Sequence, residues 1–379
     1  MSVDMKKPSE VGALAGDGLS EGDSIEELPK RLEKYSKARK RSEETIEYLK
    51  RHYNGESGSV SPYSLDELGP LIDSLGCCAQ WMKFHHYFTV GKVRLAKIRT
   101  CKKHLLCPLC AIRRGAKSVA AYLERFKVVM AQNPKLRPYL LTLTVKNGHD
   151  LDERFSHLVK SFRTYQNRRR SYFKTGRGFN ELCKAEGACF SYEVSHGKDG
   201  YHPHVHMVVM VDPANPIDFD PKRPKQSQLS REWHDITGDS FIVDCRPISQ
   251  EDPAAGFVEV FKYALKMSGM KTWAQVEAYF TLRGKRMTGA FGCFWGVKVP
   301  ESDADDLLED LPYVELFYRY SANGYQLHHA GSTKGEGWTE KMPEPNFAEL
   351  DDLVPEYRFV AANDKRRPEL YRLRDWPRV

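Results

Sequence analysis

The chain has 379 residues, of which 41% are hydrophobic and 29% are charged, and its formal net charge is +7. This length is sufficient for two or three domains, each with its own core. No apolar run is long enough to cross a membrane and no apolar signal region follows residues 1–7, so we expect a soluble, cytoplasmic protein with no membrane partner. The positive charge is clustered, which suits a polyanionic partner such as nucleic acid, although a charge run is also typical of a solvated face.

Residues 1–24 are rich in Gly, Ser, Asp and Glu and contain few large apolar side chains. Such a segment cannot bury enough surface to order itself, so we expect a disordered tail. Residues 25–75 are expected to be a charged helical region, with a first helix that runs from Ser24 to about Tyr53. That helix either contacts DNA or a partner, or is simply a solvated helix.

Residues 76–130 contain a cluster of cysteines followed by a predicted helix. Cys107 and Cys110 have the C-x-x-C spacing with which two thiolates bind one tetrahedral ion. The odd total of nine cysteines, without a secretion signal, favours reduced thiols over a disulfide framework. We therefore predict a structural Zn²⁺ site, the alternative being three free thiols. Its further ligands are drawn from Cys101 or His104, with Cys77 or Cys78 as candidates further upstream.

The same segment carries a basic pair, Arg113 and Arg114, directly before a helix predicted over 116–130. Basic side chains at the positive end of a helix dipole are unfavourable for the helix. Binding to a phosphate explains them better, so both are candidate DNA contacts.

The domain predicted over residues 131–300 begins with a strand over 139–146, in which Thr142 and Thr144 share a face. We expect it to be a central strand, beside the histidine-bearing strand described next. A helix over 151–173 follows, with an apolar stripe and then basic residues interleaved with aromatic ones. This pattern can hold a single strand of nucleic acid through phosphate contacts and base stacking; equally, the aromatic rings can be core and the arginines solvent-facing. The candidate DNA-binding residues here are Arg168, Arg169 and Arg170.

The most informative stretch is a predicted hairpin, formed by residues 188–194 and a strand that begins at His204. His204 and His206 point to the same side, because strand side chains alternate between faces. A strong turn signal at 197–200 joins the strands, and Glu193 and His204 are equidistant from its centre, so Glu193 is expected to face His204. Two imidazoles and a carboxylate on one face are a candidate metal site. The alternative is a pair of ordinary strand histidines without a metal.

A helix predicted over 257–266 has one polar face. At ~100° per residue, the polar side chains gather opposite the apolar ones. The residues on this polar face are Glu259, Lys262, Tyr263 and Lys266. The alternative, which the helix by itself favours, is an exposed face stabilised by Glu–Lys pairs, with a tyrosine whose ring lies along the surface.

The remaining elements indicate the fold class. Helices over 227–236 and 273–282, with a strand over 240–248, complete an α+β fold in which an antiparallel sheet is flanked by helices. The Gly-rich aromatic stretch 289–296 is expected to end the domain. Residues 301–379 are expected to form an acidic linker and a C-terminal region with a small strand pair.

These pieces, in this order, resemble the HUH endonuclease superfamily and, within it, the single-tyrosine rolling-circle replication initiators of small plasmids. The resemblance covers roughly residues 99–270 and implies the HUH endonuclease fold. The matching parts are Cys107-Pro108-Leu109-Cys110 with Arg113-Arg114, Leu141-Thr142-Leu143-Thr144, His204-Val205-His206, and Lys262-Tyr263-Ala264-Leu265-Lys266.

The resemblance implies a site-specific DNA endonuclease and strand transferase. Tyr263 would attack a phosphodiester at the nick site of the origin, giving a 5′-phosphotyrosine and a 3′-OH primer, with Lys262 or Lys266 favouring the phenolate. Glu259, one turn before the tyrosine, would activate water to end replication by hydrolysis. Lys262 would also contact the DNA. The ligands of a catalytic Mg²⁺ or Mn²⁺ would be Glu193, His204 and His206.

The partners implied are plasmid origin DNA, as a single strand or a hairpin at the nick site, and the host helicase with the replication machinery; a homodimer is also compatible. Conjugative relaxases and transposases share the active site, but the single tyrosine and the acid at Glu259 favour an initiator. A rival from a different class is a zinc-dependent DNA-binding regulator without catalysis.

Overall fold

The computed structural model describes residues 23–57, 62–249, 252–262, 267, 269–298, 308, 311, 313–322 and 324–332. The chain divides into two compact units. We call residues 19–110 with 304–379 the cysteine unit, and residues 111–303 the hairpin unit. The tail predicted over residues 1–24 lies, except for its last two residues, outside the described residues.

The secondary structure is mixed. In chain order the helices are α1 (Leu28–Tyr53), α2 (Leu65–Gly76), α3 (Pro108–Gln132), α4 (Leu151–Thr175), α5 (Gln228–Thr237), α6 (Ala254–Phe261) and α7 (Thr272–Leu282). The strands are β1 (Asp23–Ser24), β2 (Trp81–Tyr87), β3 (Lys92–Ile98), β4 (Arg137–Thr144), β5 (Ala185–Gly197), β6 (Gly200–Val211), β7 (Val243–Pro247), β8 (Thr288–Gly292), β9 (Val314–Ser321) and β10 (Gly324–Ser332).

The cysteine unit contains an antiparallel sheet in the order β1-β3-β2-β9-β10, with α1 packed against α2 and β10. The helix predicted from Ser24 to Tyr53 is confirmed as α1. Its apolar side chains recur at helical spacing and are buried, which is how an otherwise highly charged helix is held in place. These buried side chains include Leu28, Leu32, Tyr35, Ile46 and Leu49.

The hairpin unit contains the second antiparallel sheet, in the order β7-β4-β6-β5-β8. The predicted hairpin register is confirmed, since Glu193 pairs with His204 across β5 and β6. Gly200 has a φ of +90°, which favours glycine, and this lets the chain reverse between the two strands. The central position predicted for β4 is also confirmed, because Thr142 pairs with His206 and Thr144 with His204.

The two faces of this sheet are covered differently. Directly paired residues share a face, so Glu193, His204 and His206 lie together on what we call the histidine face. Side chains of α3 and α6 complete a buried cluster on that side, including Val129 and Phe261. The opposite side, the reverse face, packs against α4, whose rings meet the strand side chains edge to face. These contacts join Phe155 to Tyr192 and Phe162 to Phe190, with ring centroids 5.5 and 5.1 Å apart.

Local sequence explains why α4 begins and ends where it does. The Asp150 side chain accepts a hydrogen bond from the Glu153 amide at 2.9 Å, and Gly176 ends the helix with a φ of +72°. The predicted stripe of Phe155 and Phe162 is buried, which confirms the helix expected over 151–173.

The α+β class with antiparallel sheets flanked by helices is confirmed, but three details differ from the sequence expectations. The stretch over residues 289–296, near the end of the hairpin unit, also contributes a strand that was not predicted, because Thr288–Gly292 is β8 and pairs with β5 as an edge strand. Strands β2 and β3 have no counterpart among the predictions. Helix α3 begins at Pro108, eight residues earlier than predicted, since proline is well suited to the first turn of a helix.

The C-terminal strand pair is confirmed as β9 and β10, and it extends the sheet that contains β2. None of the helices in the described part of the chain combines the length and the apolar character needed to span a bilayer.

Candidate metal centre

Three side chains of the histidine face converge on one point. His204 Nε2 lies 2.9 Å from Glu193 Oε1, and His206 Nε2 lies 3.5 Å from Glu193 Oε2. All three residues are buried, and one ligand atom from each lies within 4.8 Å of the others. The strand pairing thus brings together the two imidazoles and the carboxylate that the sequence proposed as metal ligands.

Each imidazole is oriented by a contact to its Nδ1 atom. The Nδ1 atom of His204 lies 3.1 Å from the carbonyl oxygen of His202, and Nδ1 of His206 lies 2.8 Å from the hydroxyl of Thr142. These contacts direct both Nε2 atoms toward Glu193. Groups that hold the second ring nitrogen of a histidine in this way are typical of metal ligands. The sequence placed Thr142 and Thr144 on a common face of a strand beside the histidine strand, but the role of Thr142 follows only from its pairing with His206 in the structure.

The contacts of His204 indicate whether a cation can bind among the three side chains. In the tautomer whose Nδ1–H donates to the His202 carbonyl, the ring presents its Nε2 lone pair to the Glu193 carboxylate. A cation bound by both atoms would favour this arrangement of two acceptors 2.9 Å apart. The donor set of two imidazoles and one carboxylate suits a divalent ion such as Mn²⁺ or, with less preference for nitrogen, Mg²⁺. The residues present therefore fit the cation.

Helix α6 brings an acid to the edge of this centre. The carboxylate of Glu259 lies 3.9 Å from His206 Nε2 and forms an ion pair with Lys262. The opposite side of α6 is buried, and its backbone is tied to the sheet because the Ser191 hydroxyl donates to the Val260 carbonyl. The two other residues proposed for catalysis, Tyr263 and Lys266, lie outside the described residues.

The basic pair on α3 is close to the end of α6. A Cβ atom at Gly115 would lie 3.2 Å from the Phe261 carbonyl oxygen, so glycine allows the two helices to approach closely. Arg113 is half-buried and Arg114 is exposed. Because α3 begins at Pro108, both arginines lie in its second turn, where the dipole disfavours them less than sequence analysis supposed.

The arginines of α4 do not join the metal centre. Arg168 and Arg170 are exposed, whereas Arg169 donates to the carbonyls of Leu182 and Ala185 and lies between two aromatic rings. Burial lowers the pKa of the Arg169 guanidinium. These residues belong to a helix on the reverse face of the sheet.

Four cysteines of the cysteine unit form a second cluster. In it, Sγ of Cys78 lies 3.6 Å from that of Cys107 and 3.7 Å from that of Cys110, and Cys101 lies 3.5 Å from Cys110. Sulfurs bound to one tetrahedral zinc at ~2.3 Å lie about 3.8 Å apart, so the spacing fits a Zn²⁺ ion. Hydrogen bonds among the thiols lower the pKa of Cys107 well below its usual range and raise the pKa of Cys78 and Cys101, so Cys107 is the one of these three that most readily forms a thiolate.

The membership of this cluster differs from the first choice made from sequence. Cys78 joins Cys101, Cys107 and Cys110, whereas His104 is not in the group. The position of Cys78 depends on buried Arg39, which donates to the carbonyls of Leu75, Gly76 and Cys78 at 2.7, 2.9 and 3.0 Å. Arg39 is thus a structural side chain, although it belongs to a basic run typical of nucleic-acid binding.

Comparison with known proteins places the chain among replication proteins. Residues 92–315 match the model of the Rep_1 family, described as replication protein. A relative from Streptococcus pneumoniae serotype 2, "Protein rep", is 29% identical over 52% of this chain and 60% of its own length. A "Protein rep" from Bacillus sp is 30% identical over 48% of this chain and 55% of its own, and one from Bacillus amyloliquefaciens is 28% identical over 48% and 50%.

The chain thus spans between half and 60% of the length of these curated relatives. No solved structure matches it significantly. The matched region contains the Glu193, His204 and His206 cluster and three of the four clustered cysteines. Because the family model covers more than half of the chain, this chain belongs to the Rep_1 replication protein family, in agreement with its resemblance to plasmid replication initiators.

Proposed function

We propose that this chain is a rolling-circle plasmid replication initiator with an HUH endonuclease domain, which nicks single-stranded origin DNA by attack of Tyr263. The observation that carries the proposal is the convergence of Glu193, His204 and His206 beside Glu259 of α6. Tyr263 follows Glu259 by four residues, and the helix predicted from the sequence over 257–266 gives these two residues a common face. The substrate is the origin DNA of the replicon, with Arg113 and Arg114 as candidate phosphate contacts.

In the nicking step, the phenolate oxygen of Tyr263 attacks the scissile phosphorus and the bond to the 3′ oxygen breaks. The products are a 5′-phosphotyrosine and a 3′-OH that can prime synthesis. Glu193, His204 and His206 would hold a Mg²⁺ or Mn²⁺, which would supply positive charge to the scissile phosphate. The ordinary pKa of tyrosine is about 10, so Lys266 or Lys262 has the role of favouring the phenolate.

Glu259 has a separate role at the end of the cycle. Its carboxylate takes a proton from a water molecule, which attacks the phosphotyrosine and releases the tyrosine oxygen as leaving group. The same carboxylate forms an ion pair with Lys262. A carboxylate that activates water for hydrolysis suits an initiator that acts once in each round of replication.

We further propose that Cys78, Cys101, Cys107 and Cys110 bind a structural Zn²⁺. A set of four protein ligands leaves no position for substrate, which is typical of structural rather than catalytic zinc. The three-ligand set at Glu193 leaves open positions, as a catalytic centre requires.

The proposal is tested with the purified protein, Mn²⁺ and single-stranded DNA from its own replicon, followed by mass spectrometry of any protein–DNA adduct. We expect a covalent adduct at Tyr263. Tyr263→Phe should abolish the adduct and the nick while origin binding persists. Tight origin binding without any adduct would contradict the nuclease and favour a zinc-dependent DNA-binding regulator.

A further inference from the structure

The reverse face of the hairpin-unit sheet carries an open cavity of about 860 Å³ between α4, β5 and β8, which we call the α4 groove. Phe190 and Tyr192 of β5 line it. Because side chains alternate along a strand, these two residues point away from Glu193 and hence from the candidate metal centre. The α4 groove is therefore separate from the site proposed to nick DNA.

The walls of the groove are strongly basic. Lys160, Arg163 and Arg170 project from α4, and Arg286 lies beside β8. The described lining includes no aspartate or glutamate. The hydrogen bonds of Arg170 and Arg286 go to neutral oxygens, those of Asn167 and Thr288. Their positive charge is thus available to an anionic ligand.

One aromatic side chain at the groove is unusually exposed. Trp295 has 69% of its surface accessible, although tryptophan is normally among the more buried residues. It lies on a fixed turn, since its amide donates to the Gly292 carbonyl at 2.8 Å. Gly292 has a φ of +60°, and a Cβ there would lie 2.0 Å from the Glu186 carbonyl oxygen, so the turn is pressed against the sheet edge. The backbone that carries the indole is therefore fixed, while the indole itself is largely exposed.

Next to Trp295, Phe291 of β8 is ordered by a cation. The Arg169 guanidinium lies 4.8 Å from the centre of the Phe291 ring and 4.7 Å from that of Phe173. Backbone acceptors fix the same guanidinium at 2.6 and 3.1 Å. The groove thus combines aromatic rings with cations that have no acidic partner among the described residues, namely Lys160, Arg163, Arg170 and Arg286. Another lining cation, Lys285, is paired with Asp152.

We infer that the α4 groove binds a single strand of nucleic acid, with phosphates on the α4 cations and a base stacked on Trp295. Cationic grooves with exposed aromatic platforms are the usual solution for single strands, since every base has a face that can stack. An acidic peptide would form ion pairs with the cations, but the indole of Trp295 would remain exposed to water. In an initiator, the groove would hold a segment of strand distant from the scissile phosphate; the binding itself does not depend on Tyr263.

The inference is tested by the fluorescence anisotropy of a short labelled oligothymidine with the full-length protein. This probe lacks the origin sequence, and Mg²⁺ and Mn²⁺ are left out of the buffer so that no cleavage occurs. Trp295→Ala should weaken binding about fivefold or more, the effect expected for one stacked base. The matched control is Trp273→Ala, which removes another exposed tryptophan of the same unit, outside the groove lining, and should leave binding unchanged.

Charge is tested on the same probe. Arg163→Gln combined with Arg286→Gln should lower the slope of log affinity against log salt concentration by about 1.4, roughly 0.7 for each phosphate of a single strand that is no longer neutralised. Arg231→Gln, at an exposed position on α5 outside the groove, is the control. Equal affinity and equal salt slope for the groove variants and their controls would overturn the inference. Competition by polyglutamate as strong as that by unlabelled oligothymidine would also overturn it, in favour of an acidic peptide.

The two proposals fail in different ways. Trp295→Ala should still form the Tyr263 adduct on a minimal origin oligonucleotide, and Tyr263→Phe should still bind oligothymidine with wild-type affinity. Loss of both properties in Trp295→Ala, with unchanged thermal unfolding, would make the groove part of the nicking site and contradict its separation from the metal centre.

Discussion

The two candidate metal centres differ in how the chain builds them. Glu193, His204 and His206 come from two adjacent strands of one hairpin, whereas the four clustered cysteines come from positions as far apart as 78 and 110. The hairpin centre offers three ligands with an acid at its rim; the cysteine cluster closes on itself with four sulfurs. We call the cysteine cluster the closed centre and the hairpin centre the open centre. Four protein thiolates fill the coordination of a tetrahedral ion, which is typical of a site that stabilises the fold, whereas three ligands leave coordination positions for substrate.

The largest expected effect concerns the closed centre. Cys78→Ser should remove bound zinc and destabilise the cysteine unit by several kcal/mol, because metal binding at a structural site contributes directly to folding free energy. The measurements are zinc content and thermal unfolding. His104→Ala is the control, since the histidine lies outside the cluster, and it should retain zinc. Zinc lost from His104→Ala but kept by Cys78→Ser would restore the ligand set first drawn from the sequence.

The next effect concerns the open centre. Glu193→Gln keeps the shape of the buried side chain but removes its charge, and we expect origin nicking to slow about a thousandfold, roughly 4 kcal/mol of transition-state stabilisation. The measurement is the single-turnover nicking rate with Mn²⁺. Glu186→Gln, at an exposed position on the same strand, should nick at the wild-type rate. Equal rates for both variants would mean that the carboxylate of Glu193 only supports the strand.

Glu259 separates the two chemical steps proposed for the open centre. Glu259→Gln should leave nicking within a few-fold of wild type and slow hydrolysis of the phosphotyrosine about a hundredfold, the usual range for loss of a general base. Adduct formation and adduct decay are followed on the same gel. Lys262→Met, which breaks the ion pair but keeps the acid, should slow decay less. A parallel loss of nicking and release in Glu259→Gln would place the acid in the first step instead.

The sequence predicts the hairpin centre better than the cysteine cluster because the hairpin is local. Once the turn at 197–200 is recognised, the register of Glu193 and His204 follows from counting residues. Cys78 is brought to Cys107 by tertiary packing and by Arg39, which no spacing rule encodes, although the Cys77-Cys78 pair directly after Gly76 was a usable signal.

Strands β8, β2 and β3 were the other elements that the sequence did not predict. The β8 stretch is short and rich in glycine, and Gly289 and Gly292 are needed there because any side chain would collide with Phe190 or with the β5 backbone. A glycine-rich stretch near the end of the unit is therefore an edge strand pressed closely onto its neighbour. Strands β2 and β3 lie inside their sheet, but charged residues and histidine, including Lys83, His85, Arg94 and Lys97, weaken the strand signal of their segments. In all three strands, tertiary pairing overrides a weak local preference.

The smallest predicted effect tests how the open centre is held. Thr142→Val keeps the β-branched shape on the strand but removes the hydroxyl 2.8 Å from His206 Nδ1, so no hydroxyl orients the ring from behind. We expect the Mn²⁺ concentration for half-maximal nicking to rise about 10-fold to 100-fold, with a near wild-type rate at saturation, as for other residues that orient metal ligands. Thr144→Val is the matched control, since this threonine lies on the same strand and face but donates to the Ile242 carbonyl. A similar rise in both variants, or none in Thr142→Val, would show that the strand alone orients His206.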